Sequence, residues 1–365
     1  MKKKKIFQTA ALGLLWLFSC VTGHCRVFVP ADHPHIAYIG RVSFRQPQSP
    51  CFTYPGVQIR AVFEGTSLAM QAKPNSGYFM VEIDRGKAFK IGFAENDSIL
   101  PLAEHLKDGT HEVCITLAYE GYIRRPEFRG FFLDDGKTLP RRPVLPSRKI
   151  EFIGNSITCG FGTEVTDPQA LFRDETENHY HTYAAATARA LNAQSLVVAR
   201  SGIGIYRNYN GPRTGSPDCM PARYGQTLFN DSTELWDFSR YTPDVVCINL
   251  GTNDTSTQPY DTELLEEGFR SFFRTVRGHY PKAKIILLSG CMLKGKPLKD
   301  VLRALDQIAA EAKAAGDREV YRFDLTPMDG SLGYGASWHP SKAQQYKCAE
   351  ELTAFIRSVT GWDKP

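Results

Sequence analysis

Short runs of alternating or apolar residues, interrupted by turn residues, fill the chain from about residue 26 to 145 without helical periodicity. Closely spaced strands of this kind predict an antiparallel β-sandwich. Turn clusters such as Pro74–Gly77 and Lys107–Gly109 separate the runs. The strand candidates are His35–Phe44, Gly56–Phe63, Leu68–Lys73, Tyr78–Asp84, Ala88–Phe93, His111–Ala118 and Arg129–Leu133.

The pattern changes at Lys149, after an extended, proline-rich linker over Pro140–Pro146. Apolar strand candidates now alternate with helical periodicity, which predicts an α/β domain with a doubly wound parallel sheet over residues 149–362. The predicted strands are Lys149–Ile153, Ser195–Ala199, Asp244–Leu250, Lys284–Ser289 and Val320–Asp324. The predicted helices are Thr182–Leu191, Thr262–His279, Leu298–Ala315 and Lys342–Val359.

Ser156, Gly202 and Asn253 each lie just past the carboxyl end of a predicted strand. Ligands of such sheets bind beyond these ends, so we expect the three residues to gather at one edge. A serine can act as nucleophile, and an Asn amide with the backbone N–H groups of Ser156 and Gly202 can bind an oxyanion. Plainer roles remain open: Ser156 as a helix cap, Gly202 and Asn253 as turn residues.

His339 is the candidate base among nine histidines. Trp338 and Pro340 stiffen its segment, and Ser341 is placed to cap the next helix. His179 and His181 are the main rivals, but a His-x-His pair without a third ligand is a weak metal signal.

The composition and charge of the chain limit which kinds of molecule it is expected to bind. The chain has 365 residues, 42% hydrophobic, and a net charge of +5. No basic stripe with interleaved aromatic residues is present, so nucleic acid is not an expected partner.

The N-terminus is typical of an export signal, with Lys2–Lys5 before an apolar run over Ala10–Phe18. That run is too short to span a bilayer. We assign residues 1–24 to a signal peptide, with two outcomes open: a lipid on Cys20, or cleavage near Gly23 or Cys25. The expected location is periplasmic, on the cell surface as a lipoprotein, or secreted, with membrane attachment only through Cys20.

Nine cysteines in an exported chain allow one or two disulfides. However, Cys114, Cys247 and Cys291 lie in or beside apolar runs, where cysteine is usually a small buried hydrophobe. No Cys/His group has zinc-ligand spacing. We therefore expect no metal and no cofactor.

The segments with Ser156, Gly202, Asn253 and His339 resemble, in order, the four blocks of the SGNH hydrolases, or GDSL esterases. Tyr54–Gly56, Phe128–Phe131 and Tyr206–Tyr209 extend the similarity to carbohydrate esterase family two. The resemblance implies an N-terminal jelly roll over 26–145, followed by an SGNH catalytic domain over 149–362. It also implies removal of acetyl groups from polysaccharides such as xylan and glucomannan.

The sequence departs from the superfamily at two places. Asn155 stands where Asp is usual before the serine. The acid three or two residues before the histidine is replaced by Ala336 and Ser337, so a Ser156–His339 dyad remains. We predict that a nearby main-chain carbonyl orients His339 and that Trp338 holds its ring. A carboxylate from elsewhere, such as Asp324 or Asp329, is the alternative.

The predicted function is therefore a metal-independent serine esterase with Ser156 as nucleophile and His339 as base. Asp254 is expected to hold the Asn253 loop from behind the site, or to be purely structural. Two other functions remain open: an SGNH lipase or arylesterase acting on apolar esters, and a polysaccharide-binding protein without catalysis.

Overall fold

The structure is a computed structural model that describes residues 26–362. The predicted signal peptide over 1–24 and the candidate lipid site at Cys20 lie outside these residues. Within residues 26–362, no helix is both long and apolar enough to cross a membrane.

The N-terminal part is a sandwich of two antiparallel sheets over one apolar core, as predicted. One sheet has the strand order β1-β9-β4-β7 and the other β2-β3-β8-β5-β6. The strands are β1 Arg26–Pro30, β2 Ala37–Ile39, β3 Gln58–Gly65, β4 Leu68–Ala72, β5 Gly77–Ile83, β6 Phe89–Phe93, β7 Ile99–Ala103, β8 Gly109–Leu117 and β9 Phe128–Asp134.

The sequence pattern did not predict β1 and β7. They are the two edges of the same sheet, and each buries a single residue, Val29 and Leu102 respectively. Their sequences, RVFVP and ILPLA, show no regular alternation of apolar and polar residues, and each contains a proline, which weakens a strand pattern. Pairing with β9 and β4 forms these strands, and only the folded sheet supplies those partners.

The second part is a five-stranded parallel sheet of order β11-β10-β12-β13-β14 with helices packed on it, which confirms the doubly wound prediction. Its strands are β10 Arg148–Gly154, β11 Ala193–Ala199, β12 Val245–Asn249, β13 Lys284–Ser289 and β14 Val320–Asp324. Its α-helices are α1 Ser156–Cys159, α2 Tyr183–Ala190, α3 Met220–Arg223, α4 Thr252–Thr255, α5 Thr262–His279, α6 Gly295–Ala314 and α7 Lys342–Thr360.

The strand order places β10 between β11 and β12. The chain therefore leaves β10 toward one side of the sheet and later returns on the other, which opens a crevice at the carboxyl end of β10. Ser156, Gly202 and Asn253 follow β10, β11 and β12, so adjacent strands deliver all three to this crevice.

A buried ion pair joins the two parts. Arg41 of the sandwich lies 3.4 Å from Glu151 of β10, and both side chains are fully buried. The Arg41 guanidinium also donates to the carbonyls of Tyr224 and Gln226. Its carbon centre lies 5.2 Å from the ring centroid of Trp236. Burial raises the pKa of Glu151 even beside Arg41, so this carboxylate depends on its partner.

We expect Arg41→Met to lower the free energy of unfolding by about 3–5 kcal/mol, because it leaves the Glu151 carboxyl buried and unpaired. The matched control is Arg45→Met. Arg45 pairs with Glu234 at 3.2 Å, but the Arg45 side chain is 52% exposed. A surface pair contributes at most about 1 kcal/mol. Denaturant titration measures both variants, and equal losses would contradict a role for the buried pair in joining the two parts.

Candidate active site

Ser156 is the first residue of α1, directly after β10 and the turn at Gly154. Asn155, not Ser156, caps this helix, since its side-chain oxygen accepts from the Ile157 N–H at 3.1 Å. A Cβ on Gly154 would lie 2.1 Å from the Thr158 hydroxyl, so only glycine permits the turn. The capping interpretation of Ser156 is therefore wrong, and its hydroxyl is left for another partner.

That partner is His339. Its Nε2 lies 2.8 Å from Ser156 Oγ. On the opposite side of the ring, Nδ1 lies 3.1 Å from the Ser337 carbonyl oxygen and 3.2 Å from that of Ala336. Carbonyl oxygens only accept, so Nδ1 carries the ring proton and Nε2 accepts from the Ser156 hydroxyl. This is the arrangement of a general base before it takes a proton.

The predicted orientation of His339 by main-chain carbonyls is confirmed. Among residues 26–362, no carboxylate forms an ion pair with His339. Asp324 instead pairs with Arg322, and Asp329 accepts from Ser331.

The turn before His339 is strained. Ser337 and Trp338 have φ values of +49° and +61°, in a region that residues other than glycine seldom adopt. The turn is held from beneath by Ala336, which is fully buried and whose N–H donates to the Gly162 carbonyl at 3.2 Å. A Cβ on Gly162 would lie 2.3 Å from the Ala336 Cβ. The residue three before His339 is therefore a buried alanine packed closely against Gly162, and it supplies no carboxylate.

Phe161, rather than Trp338, holds the imidazole ring. The Phe161 and His339 rings stack with centroids 4.1 Å apart and an interplanar angle of 24°. Phe172 stacks on Phe161 in turn, at 4.4 Å. The prediction for Trp338 was wrong: its side chain is 54% exposed and contacts Tyr334 edge-on. No periodic pattern marks Phe161, because it lies in the loop after α1.

Burial lowers the pKa of His339 to about 4, although its bonds to the two carbonyls act in the opposite direction. A carboxylate would favour the imidazolium by direct charge, whereas a neutral carbonyl does so only through its dipole. His339 is consequently neutral, and able to accept a proton, from mildly acidic pH upward.

The three candidate oxyanion donors lie on adjoining segments. Within residues 26–362, the backbone N–H groups of Ser156 and Gly202 donate to no other protein atom. Unpaired N–H groups are rare in protein interiors unless a ligand or water uses them. Gly202 has a φ of +78°, which explains the glycine. One N–H of the Asn253 amide donates to the Ile203 carbonyl at 2.8 Å, which leaves the second for a ligand.

Asp254 holds the loop that follows Gly202. Its fully buried carboxylate accepts from the backbone N–H groups of Ile205, Tyr206 and Arg207 at 2.9–3.0 Å. Burial raises its pKa while these three N–H groups oppose the shift. The carboxylate, which lies next to Asn253, thus joins the Asn253 loop after β12 to the loop that follows Gly202.

The two alternative candidates for the base, His179 and His181, bond to other groups. His179 is buried, with its pKa lowered by burial to about 4, and its Nδ1–H donates to the Thr158 carbonyl at 2.7 Å. His181 lies 2.9 Å from the Tyr346 hydroxyl and 3.2 Å from the Lys342 amine. Neither contacts Ser156.

The described cysteines, all seven within residues 26–362, are free thiols. In that range one group of side chains has the composition of a metal site: Glu120, Cys159 and Glu177, with ligand-type atoms all within 4.8 Å of one another. Sequence spacing gave no sign of it, since Glu120 belongs to the sandwich and the other two to the catalytic part.

Both parts of the chain are similar to known protein families. Residues 38–143 match the family described as "Carbohydrate esterase 2 N-terminal", and residues 152–346 match the "GDSL-like Lipase/Acylhydrolase family". The second match contains Ser156, Gly202, Asn253 and His339. The chain belongs to carbohydrate esterase family two.

Solved members of family two share the whole architecture. One is described as a family two carbohydrate esterase from Clostridium thermocellum in complex with cellohexaose; it superimposes with a TM-score of 0.84 at 36% identity, covering 90% of this chain and all of that one. A family two esterase from Cellvibrio japonicus gives a TM-score of 0.83 at 27% identity, covering 93% of this chain and 99% of that one.

Two proteins of similar sequence extend the comparison. The cellulase/esterase CelE of Acetivibrio thermocellus is 37% identical over 91% of this chain, which spans only 40% of that protein. An acetylxylan esterase / glucomannan deacetylase of Cellvibrio japonicus is 30% identical over 92% of this chain and 91% of its own length.

We expect the imidazole of His339 to titrate with a midpoint near pH 4, well below the ordinary value of 6.5. Phe161→Ala admits water to the ring and should move the midpoint toward 6.5. NMR of histidine labelled at Cε1 measures both, with His339→Gln to assign the signal. Phe89→Ala, at an exposed site on the sandwich, is the control and should leave the midpoint unchanged. A wild-type midpoint at or above 6.5 would contradict the desolvated base.

Proposed function

We propose that this chain is an exported serine esterase that removes O-acetyl groups from polysaccharides such as xylan or glucomannan. The observation that carries the proposal is the 2.8 Å contact between Ser156 Oγ and His339 Nε2, beside unpaired backbone N–H groups. The relatives named acetylxylan esterase and glucomannan deacetylase supply the acetyl and polysaccharide classes. Export rests on the Lys2–Lys5 and Ala10–Phe18 pattern.

In the proposed mechanism, Ser156 Oγ attacks the acetyl carbonyl carbon while His339 Nε2 takes the hydroxyl proton. The N–H groups of Ser156 and Gly202 and the amide of Asn253 stabilise the oxyanion. A single such donor contributes about 3–4 kcal/mol to lowering the barrier. His339 returns the proton to the departing sugar oxygen, and then activates a water that releases acetate and frees Ser156.

The low pKa of His339 suits an acetyl ester better than an amide. An imidazole of reduced basicity takes a proton less readily, and a neutral carbonyl stabilises the imidazolium less than a carboxylate does. An alkoxide is a better leaving group than an amine, so acetyl ester cleavage requires less assistance from the base.

Two exposed aromatic side chains flank the Ser156–His339 pair. Trp338 immediately precedes His339, and Tyr209, 56% exposed, bonds through its backbone N–H to the Gly202 carbonyl at 2.8 Å. Large aromatic surfaces left open to solvent beside a site favour a ligand that covers them. The C–H face of a sugar ring packs on such a π surface, so these residues support a glycan substrate over an apolar acyl chain.

Ser156→Ala and His339→Ala should each reduce acetate release from acetylated xylan or glucomannan by about 10³-fold or more, because each removes a group that acts in the transition state. A panel of acetylated glycans and a long-chain ester, scored by acid release, tests the proposal. Preference for the long-chain ester would favour the lipase function. Ordinary activity in a folded Ser156→Ala would exclude the serine mechanism.

Trp338→Ala and Tyr209→Ala should raise KM for the acetylated polymer by several-fold up to about tenfold, the effect expected for a lost aromatic contact. Turnover of 4-nitrophenyl acetate, which is too small to need the flanking rings, should change little and controls for damage to His339. Glycan binding without acetate release in the wild type would support the non-catalytic alternative.

An equal loss of activity on the polymer and on 4-nitrophenyl acetate would show that the two rings act at the Ser156–His339 pair and not in glycan binding.

A further inference from the structure

A group of buried acidic side chains lies between the sandwich and the candidate active site. Glu120 comes from the sandwich, just after β8, whereas Glu177 and Cys159 come from the catalytic part. One carboxyl oxygen of each glutamate and the thiol sulfur lie within 4.8 Å of one another, and the three residues are buried. Cys159 is the last residue of α1, the helix that begins with Ser156.

The Glu120 carboxylate reaches the Gly202 turn directly. Its Oε1 accepts from the backbone N–H of Ser201 at 2.6 Å, and Ser201 immediately precedes Gly202. Glu177 supports Glu120 from behind, because its Oε2 accepts from the Glu120 backbone N–H at 3.0 Å. The order of contacts therefore runs from Glu177 to Glu120 and then to the peptide that leads into the oxyanion donor.

The other oxygen of Glu177 has no partner. Glu177 Oε1 is buried and accepts no hydrogen bond from any donor in the described chain. Buried polar oxygens of this kind are normally hydrogen-bonded. The Glu120 carboxyl lies beside Glu177, and a hydrogen bond between the two carboxyls requires a proton between them.

The charges around the pair favour such a proton. Arg200 is the cation that faces it, and its guanidinium carbon also lies 5.4 Å from the Tyr122 ring. A second cation, Lys90, contacts the Glu177 backbone carbonyl at 3.3 Å but is already paired with Glu164. Cys159, Tyr119 and Asp174 also lie near the pair, and Asp174 is paired with Arg124 at 2.9 Å.

A single cation cannot balance two carboxylates in a dry interior. Burial raises the pKa of Glu120, and raises that of Glu177 well above its ordinary value. Burial also raises the pKa of the Cys159 thiol well above its ordinary range, so this group stays neutral.

We propose that Glu120 and Glu177 share one proton and that this carboxyl pair positions the Ser201–Gly202 peptide for oxyanion binding. Glu120 is thus a positioning residue that the sandwich contributes to the catalytic part. The inference rests on the proposed function, since the oxyanion donor at Gly202 is part of it.

The pair has a consequence for pH dependence. Loss of the shared proton at alkaline pH creates two adjacent buried carboxylates, which repel each other. The Glu120 carboxylate then moves from Ser201, and the Gly202 donor moves with it. kcat should fall on the alkaline side while KM changes little, because the displaced donor acts mainly on the transition state.

Glu120→Gln is the decisive variant. Its amide oxygen still accepts from the Ser201 N–H, and its NH₂ donates permanently to Glu177, so no proton is needed. We expect kcat at pH 7 within about threefold of wild type and an alkaline decline that is lost or shifted upward by at least one pH unit. Glu104→Gln, at an exposed site of the sandwich, is the matched control and should keep the wild-type profile. An unchanged alkaline decline in Glu120→Gln would overturn the proposal.

Glu120→Leu removes the acceptor altogether. We expect kcat to fall about tenfold or more with KM nearly unchanged, a part of the loss of about 10²–10³ that follows removal of an oxyanion donor. Circular dichroism and thermal melting establish whether this variant folds. If it does not, the pH profile of Glu120→Gln still decides the question. A folded Glu120→Leu with wild-type kcat would exclude a positioning role.

Infrared spectroscopy separates failure of this inference from failure of the proposed function. At pH 7, the difference spectrum between wild type and Glu120→Gln should contain the C=O stretch of one protonated carboxyl, whether or not the protein hydrolyses esters. Absence of that band would overturn the shared proton. Metal analysis of the purified full chain supplies a further check: a stoichiometric divalent ion, lost in Glu177→Gln, would show that the three residues bind a metal instead.

Discussion

One hydrogen bond, 2.8 Å between Ser156 and His339, joins residues 183 positions apart, and the fold is arranged around it. Parallel β10 brings Ser156 to the sheet edge, while a strained turn brings His339 across from the opposite side. Both side chains are held in place. Asn155 caps the helix that begins with Ser156, and Phe161 stacks on the His339 ring. The contact is therefore formed in the unliganded chain, which is the condition for a preorganised catalytic pair.

The sandwich also helps to hold the candidate active site, through buried polar contacts with the catalytic part. Arg41 inserts a buried positive charge beside Glu151 of the central strand. The His179 backbone N–H donates to the Ala118 carbonyl at 2.7 Å while its ring donates to Thr158 of α1, so the sandwich is linked to the helix that carries Ser156. With the contact of Glu120 at Ser201, the sandwich supports the segments of both candidate backbone oxyanion donors. A sandwich that served only to bind glycan would not need these buried polar links.

Absence of the usual acid changes the electrostatics of the base. Ala336 is packed against Gly162, and the carbonyls that orient His339 are themselves products of the positive φ values at Ser337 and Trp338. Backbone geometry thus replaces a side chain. The substitution fixes the tautomer as a carboxylate would, but it leaves the imidazole with its pKa lowered by burial. Orientation and basicity, which one acid provides in a full triad, are separated here.

The sequence by itself determined the order of most strands and helices, because their apolar runs and helical periodicity are local features. Helix α5 coincides with its predicted range, and β13 and β14 do as well. It also indicated Ser156, which follows a strand end, and His339, whose neighbours Trp338, Pro340 and Ser341 mark its segment. Tertiary structure alone decided the edge strands β1 and β7, the stacking of Phe161 on His339, the Arg41–Glu151 pair and the Glu120–Glu177 pair. Each of these depends on residues distant in the chain whose local surroundings carry no periodic signal, so only the packing of one part on the other creates the interaction.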